Sequence, residues 1–186
     1  MKKDDDSIGV VEKIQNTLLK NHIHYLYGDI DEQNTAEVIK WIIHENLSGT
    51  NKELQLMINS NGGNLPDAFA LIEVMKKSNN PITTIGIGSV CSSAFLIFAA
   101  GHKGKRLIGK NTTILCHQFS NEPSGKYHDL KASIRENELV NNRMIKILEE
   151  CTELDSRTIK SKLLCPTDVW LTADELVELG VADDIF

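Results

Sequence analysis

The sequence predicts an α/β fold with mainly parallel strands. β-rich and helical segments alternate along most of the chain with short connections, the pattern of strand–helix–strand units. Glycine-rich turns at 62–63 and 86–88 follow strand-like runs, and sites in such folds gather at the carboxyl ends of strands. The 186 residues are most simply one domain, long enough to bury a substantial core.

Residues 1–21 begin polar and acidic, then turn weakly amphipathic through Val10, Val11, Ile14, Leu18 and Leu19. They read as a tail leading into a short helix, with residues 22–186 as a single domain. Residues 23–27 alternate, are β-rich and end at Gly28, which predicts a strand. Apolar residues at 38, 39, 42 and 43 predict a helix over 34–46. Residues 54–58 predict a strand that ends in Asn59-Ser60-Asn61-Gly62-Gly63. Pro66 suits the first turn of a helix running to Met75. A strand over 82–87 is followed by a very apolar helix over 91–100, buried on several sides, and then by a strand over 112–117. Residues 126–150 form one long helical stretch. Leu130, Ile134, Met144, Ile145 and Leu148 make its stripe, with Leu139 on the opposite face. Such a helix either projects from the core or lies across its own sheet. Two short helices, 156–164 and 173–179, close the chain, with Gly180 as a C-cap.

A net charge of −6 argues against a nucleic-acid binder, which needs a clustered basic face. The basic run Lys103-Gly104-Lys105-Arg106 reads as a solvated turn. Cys91, Cys116, Cys151 and Cys165 show no Cys-x-x-Cys spacing, so neither a zinc ribbon nor a thioredoxin-type motif is signalled. Cys91 and Cys116 lie in apolar runs and read as small buried hydrophobes, which fits a reducing compartment. The charge pattern of residues 1–6 is wrong for a signal peptide, and no stretch approaches the roughly 20 apolar residues that span a bilayer. These features predict a cytoplasmic protein without membrane partners.

Three residues stand in contexts suited to serine-nucleophile chemistry: Ser92, His117 and Asp168. Ser92 lies among small residues, Gly88 to Ala94, at the start of the apolar helix. A nucleophile needs that free space, and helix N–H groups there favour an oxyanion. The ordinary role of such a serine is a cap, and Ser89, Cys91 and Ser93 compete locally. Among the six histidines only His117 closes a buried-type strand, although a lone histidine there is more often a core residue. His22 and His24, at strand spacing, are too few for a metal site and read as surface residues. Asp168 ends a loop where an acid is commonplace; Thr172, followed by Ala-Asp-Glu, is the better helix cap. Gly62 and Gly63 suit a backbone that turns sharply and presents N–H groups, or an ordinary turn.

Several segments together resemble ClpP, the proteolytic subunit of the ATP-dependent Clp protease. Asn59-Ser60-Asn61-Gly62-Gly63 resembles the family's Asn-Ser-Pro-Gly-Gly loop. Residues 88–106 (GSVCSSAFLIFAAGHKGKR) resemble its nucleophile helix and the turn after it. Leu115-Cys116-His117-Gln118 resembles Met-Ile-His-Gln, and Asp168 to Ala173 resembles Asp-Arg-Phe-Leu-Ser-Ala. The similarity runs in unbroken order from about Ile23 to Phe186.

The resemblance implies a ClpP/crotonase-like fold of repeated β-β-α units, with the helix at 126–150 as a projecting handle. It implies Ser92 as nucleophile, His117 as general base, Asp168 as its orienting acid, and the N–H groups of Gly63 and Ser93 as the oxyanion hole. No metal or organic cofactor is implied. The expected assembly is a heptameric ring, possibly stacked as a tetradecamer, that cuts peptide substrates fed by an AAA+ unfoldase such as ClpX, ClpA or ClpC. The chain departs from the pattern at Asn61 and Phe119, where Pro is usual, and at Thr167 and Val169, where Arg is usual. The usual arginines join rings through ion pairs. Alternative readings are a weakly active or inactive subunit of a mixed ring with another ClpP, and a crotonase-type acyl-CoA enzyme that would not need the Ser92–His117–Asp168 set.

Overall fold

A computed structural model describes residues 9–49 and 51–186. The polar start of the expected tail, residues 1–8, lies outside them. The chain runs α1 (Val10–Lys20), β1 (Ile23–Tyr27), α2 (Glu32–Leu47), β2 (Leu54–Ser60), α3 (Leu65–Lys77), β3 (Ile82–Cys91) and α4 (Ser93–Ala99). It continues with β4 (Arg106–Ile108), β5 (Thr113–Cys116), α5 (Tyr127–Cys151), α6 (Ser156–Lys162), β6 (Val169–Leu171), α7 (Ala173–Glu178) and β7 (Asp184–Ile185).

The sheet is parallel in the order β1-β2-β3-β4-β7. β2 shows why its residues make a central strand: Leu54, Leu56, Ile58 and Ser60 are buried, and the residues between them are half-exposed. The expected alternation of strands and helices is therefore present. Helix starts follow side-chain chemistry. Asp31, Asn64, Asp155 and Thr172 each accept a hydrogen bond from the backbone N–H three residues on. Thr172 does so within a reciprocal capping box with Glu175. The core lies between the sheet and α2, α3 and α4. Every residue of α4 is buried, as its apolar sequence predicts.

β3 is longer than the strand expected over 82–87. Its pairing with β2 runs to Ile58↔Gly86, shifts register, and resumes at Ser60↔Val90. The glycines that read as a turn are a bulge inside a continuing strand, with Gly88 at φ 63°. Past the bulge β3 takes β5 as its parallel neighbour, and β6 adds antiparallel to β5. β4, β6 and β7 have three residues or fewer and exist through long-range pairing, so no local periodicity announces them.

The turn expected over 103–106 ends in a buried residue. Arg106 begins β4 with its side chain 2% exposed. Its guanidinium donates to both carboxylate oxygens of Asp183, at 2.8 and 2.6 Å, and to the Cys151 carbonyl at 2.8 Å. His22 and His24 are not free surface residues either. His22 Nδ1 lies 2.9 Å from the carboxylate of buried Glu45. The His24 ring packs on Trp41 at 5.2 Å, and burial holds its pKa below the ordinary imidazole value.

The two placements open for the long helix are resolved by its burial. The buried residues of α5 are Met144, Ile145, Ile147 and Leu148, all in its C-terminal part. Its first sixteen residues, 127–142, contribute none, and Leu130, Ile134 and Leu139 are exposed. The N-terminal part of α5 therefore stands off the core. Segment 119–121 runs beside it: the Phe119 N–H donates to Asn141 Oδ1, and Asn121 exchanges hydrogen bonds with Asn137. Among the described residues no helix is long and apolar enough to cross a membrane.

Candidate active site

Ser92 sits between β3 and α4, at φ 55° and ψ −124°. A non-glycine residue in this left-handed region costs on the order of 1–3 kcal/mol and persists only where surrounding structure holds it. The Ser92 N–H donates to the Leu115 carbonyl at 2.9 Å, and the Ser92 carbonyl accepts from Phe95 at 3.0 Å. The chain is thus fixed to β5 on one side and enters α4 on the other. This sharp strand-to-helix turn has the form that presents a nucleophile in other hydrolytic folds. Cys91, a local competitor for that role, is the last residue of β3. It is buried, with its thiol 3.6 Å from the Thr113 carbonyl.

Strand register sets three residues that are distant in the chain at neighbouring strand ends. Cys91 pairs with Leu115 in parallel, so Ser92 leaves β3 where β5 is about to end at Cys116. His117 is the next residue. β6 runs antiparallel with Cys116 opposite Val169, so one further step sets His117 opposite Asp168. Each of the three is the residue just beyond, or just before, a strand that holds its backbone.

The side chains are less organised than the backbones. His117 Nδ1 lies 2.6 Å from the carbonyl of its own neighbour Gln118. When Nδ1 carries the proton in that contact, Nε2 is left as the acceptor nitrogen that a general base requires. Asp168 is exposed. Among the described residues neither a Ser92–His117 nor a His117–Asp168 hydrogen bond is formed. Strand register sets the backbones of these residues at neighbouring strand ends, and among the described residues no hydrogen bond links their side chains.

The glycine loop abuts Ser92. A Cβ on Gly62, whose φ is 97°, would stand 2.6 Å from Ser92 Cβ, 2.7 Å from the Cys91 carbonyl oxygen and 3.1 Å from the Ser93 nitrogen. The loop is pinned to Ile30, two residues before α2: the Ile30 N–H donates to the Gly62 carbonyl, and the Asn64 N–H donates to the Ile30 carbonyl. The Gly62 N–H is occupied by Ser60 Oγ at 3.0 Å. This pattern uses the amides on both sides of Gly63 and leaves that of Gly63 itself out of the bridge. Ser93 is the first residue of α4, where an N–H has no intrahelical acceptor.

A cavity of about 500 Å³ opens between the projecting half of α5 and the end of β5; Gln118, Ile134, Asn141, Ile145, Leu164 and Pro166 are among its lining residues. Sequence reasoning missed it, because its walls come from three separated segments, Gln118, 134–145 and 160–166. The Gln118 side chain, which donates to the Leu164 carbonyl at 2.9 Å, ties two of them together beside His117. Burial pushes the Cys116 thiol up, so the cysteine next to His117 stays neutral. Among the described residues no group of three or more His, Cys, Asp or Glu is arranged to hold a metal.

The family model for Clp protease matches residues 6–186, essentially the whole chain. The mostly parallel sheet, the strand-to-helix turn at Ser92 and the helix standing off the core agree with that match, and the chain belongs to the Clp protease family.

Proposed function

We propose that the chain is a serine endopeptidase subunit with Ser92 as nucleophile, His117 as general base and Asp168 as the group that orients the imidazolium. The observation that carries this reading is the strained backbone of Ser92 at the mouth of α4, beside the glycine loop, in a chain of the Clp protease family. In the reaction Ser92 Oγ attacks the scissile carbonyl as His117 Nε2 takes its proton. The N–H groups of Gly63 and Ser93 receive the developing oxyanion. His117 returns the proton to the leaving amine, and water then cleaves the acyl-enzyme by the same steps in reverse. The cavity beside Gln118 suits a substrate side chain next to the scissile bond. The family habit of ring assembly makes an oligomeric chamber the expected setting, with an AAA+ unfoldase feeding it unfolded chains.

A second reading has one observation in its favour. The His117 imidazole is engaged by the Gln118 carbonyl rather than by Asp168, an arrangement that would leave a subunit shaping a mixed ring without cutting. Hydrolysis of fluorogenic peptides by the parent and by Ser92→Ala separates the two. The peptidase reading expects turnover by the parent and none above background by the variant, with unchanged folding by circular dichroism. Equal rates would overturn it.

A further inference from the structure

The two oxyanion donors proposed above belong to different strands. Gly63 follows β2, and Ser93 follows β3. A pair of donors binds an oxyanion only when their separation is right, so some contact has to fix one strand end against the other. The ladder supplies little of this, because the β2–β3 register breaks between Ile58 and Ser60 and resumes past the break at one pair, Ser60↔Val90. Side chains bridge the break as well. Asn61 Oδ1 accepts from Ser89 Oγ at 2.7 Å, and Asn59 Oδ1 accepts from the Ser89 N–H at 3.1 Å. Asn59 Nδ2 donates to the Tyr25 hydroxyl at 3.2 Å, tying in β1. Gly88 admits the Asn59 amide: a Cβ there would come within 2.6 Å of Asn59 Oδ1.

From this arrangement we infer that Asn61 and Ser89 are positioning residues, whose hydrogen bond across the β2–β3 bulge sets the spacing of the Gly63 and Ser93 amides. The inference rests on the peptidase reading. Asn61 stands immediately before Gly62 and Ser89 three residues before Ser92, so their bond is the side-chain link nearest to both donors. Neither residue reaches the reacting atoms. They act through the backbone they hold.

The test compares Ser89→Thr with Ser89→Val, which have the same shape and differ by the hydroxyl, and adds Asn61→Ala. Peptide hydrolysis and the affinity of a peptide boronate, which forms a tetrahedral adduct on Ser92, are read for each. A misplaced donor weakens the tetrahedral state and spares ground-state binding. Ser89→Val and Asn61→Ala should therefore lose about 10- to 100-fold in kcat with KM within about threefold of the parent. Boronate affinity should fall in parallel, and the double variant should be no worse than either single one, because both remove one bond. Ser89→Thr should keep kcat within about threefold of the parent. Matching kcat in Ser89→Thr and Ser89→Val, or a parental kcat in Asn61→Ala, would overturn the inference and leave the peptidase reading standing. A parent inert to both peptide and boronate would overturn the two together.

Discussion

Gly62 packs against Ser92 so closely that no side chain fits on it: its first carbon would lie 2.6 Å from Ser92 Cβ. Steric necessity, together with φ 97°, fixes glycine here. Gly62→Ala should push the loop away from the start of α4 and displace the Gly63 amide with it. The expected loss in kcat is about 100-fold, the size of one lost oxyanion donor. Far-ultraviolet circular dichroism should be unchanged. Parental turnover by Gly62→Ala would show that the loop does not serve the nucleophile.

Arg106 and Asp183 should carry a large share of the stability. The guanidinium is buried and bonded to both carboxylate oxygens of Asp183, so removing its partner strands a charge. Asp183→Ala should cost about 3–5 kcal/mol, read as a lowered urea midpoint. Arg106→Met should cost less, since it removes the charge that would be stranded.

The same pair sets an acid limit. Burial alone would raise the Asp183 carboxyl, but hydrogen bonds and charge from Arg106 win and hold it below the ordinary value. The folded pKa is thus below the unfolded one of about 3.9. The stabilisation is complete above that pH and is lost as pH falls through the folded value. Asp183→Asn should flatten the dependence of stability on pH below about 4, with little change in its slope above about 6.

The cysteines should react in order of access. Cys116 is buried beside His117 with its thiol pushed up, and Cys151 is raised by burial as well. Cys165 is only half-buried. Brief alkylation of the native protein, followed by peptide mapping, should mark Cys165 first and leave Cys116 unmodified until unfolding. Early modification of Cys116 would mean that the end of β5 opens to solvent.

Long elements and loop chemistry were legible in the sequence. The alternation of Leu54, Leu56 and Ile58, the wholly apolar 94–99 and the Thr172 cap each act within a few residues, where local pattern decides. What escaped depends on contacts far apart in the chain. β4 and β6 exist only because β3 and β5 lie beside them. Arg106 looked solvated until Asp183, 77 residues away, neutralised it. The bulge at Gly88 looked like a turn because nothing local shows that the strand resumes on a new partner. At the candidate site, the sequence offered Ser92, His117 and Asp168 as candidates from their local contexts and from the resemblance. The contact of His117 with the Gln118 carbonyl could not, since it is a choice of rotamer.

The central claim is that Ser92 is a nucleophile activated by His117. Treatment with a serine-reactive fluorophosphonate, followed by intact-mass measurement and peptide mapping, tests it most directly. The account predicts a single adduct on Ser92 that disappears in His117→Ala. An unmodified Ser92 in the parent, or an adduct that forms equally well in His117→Ala, would contradict it.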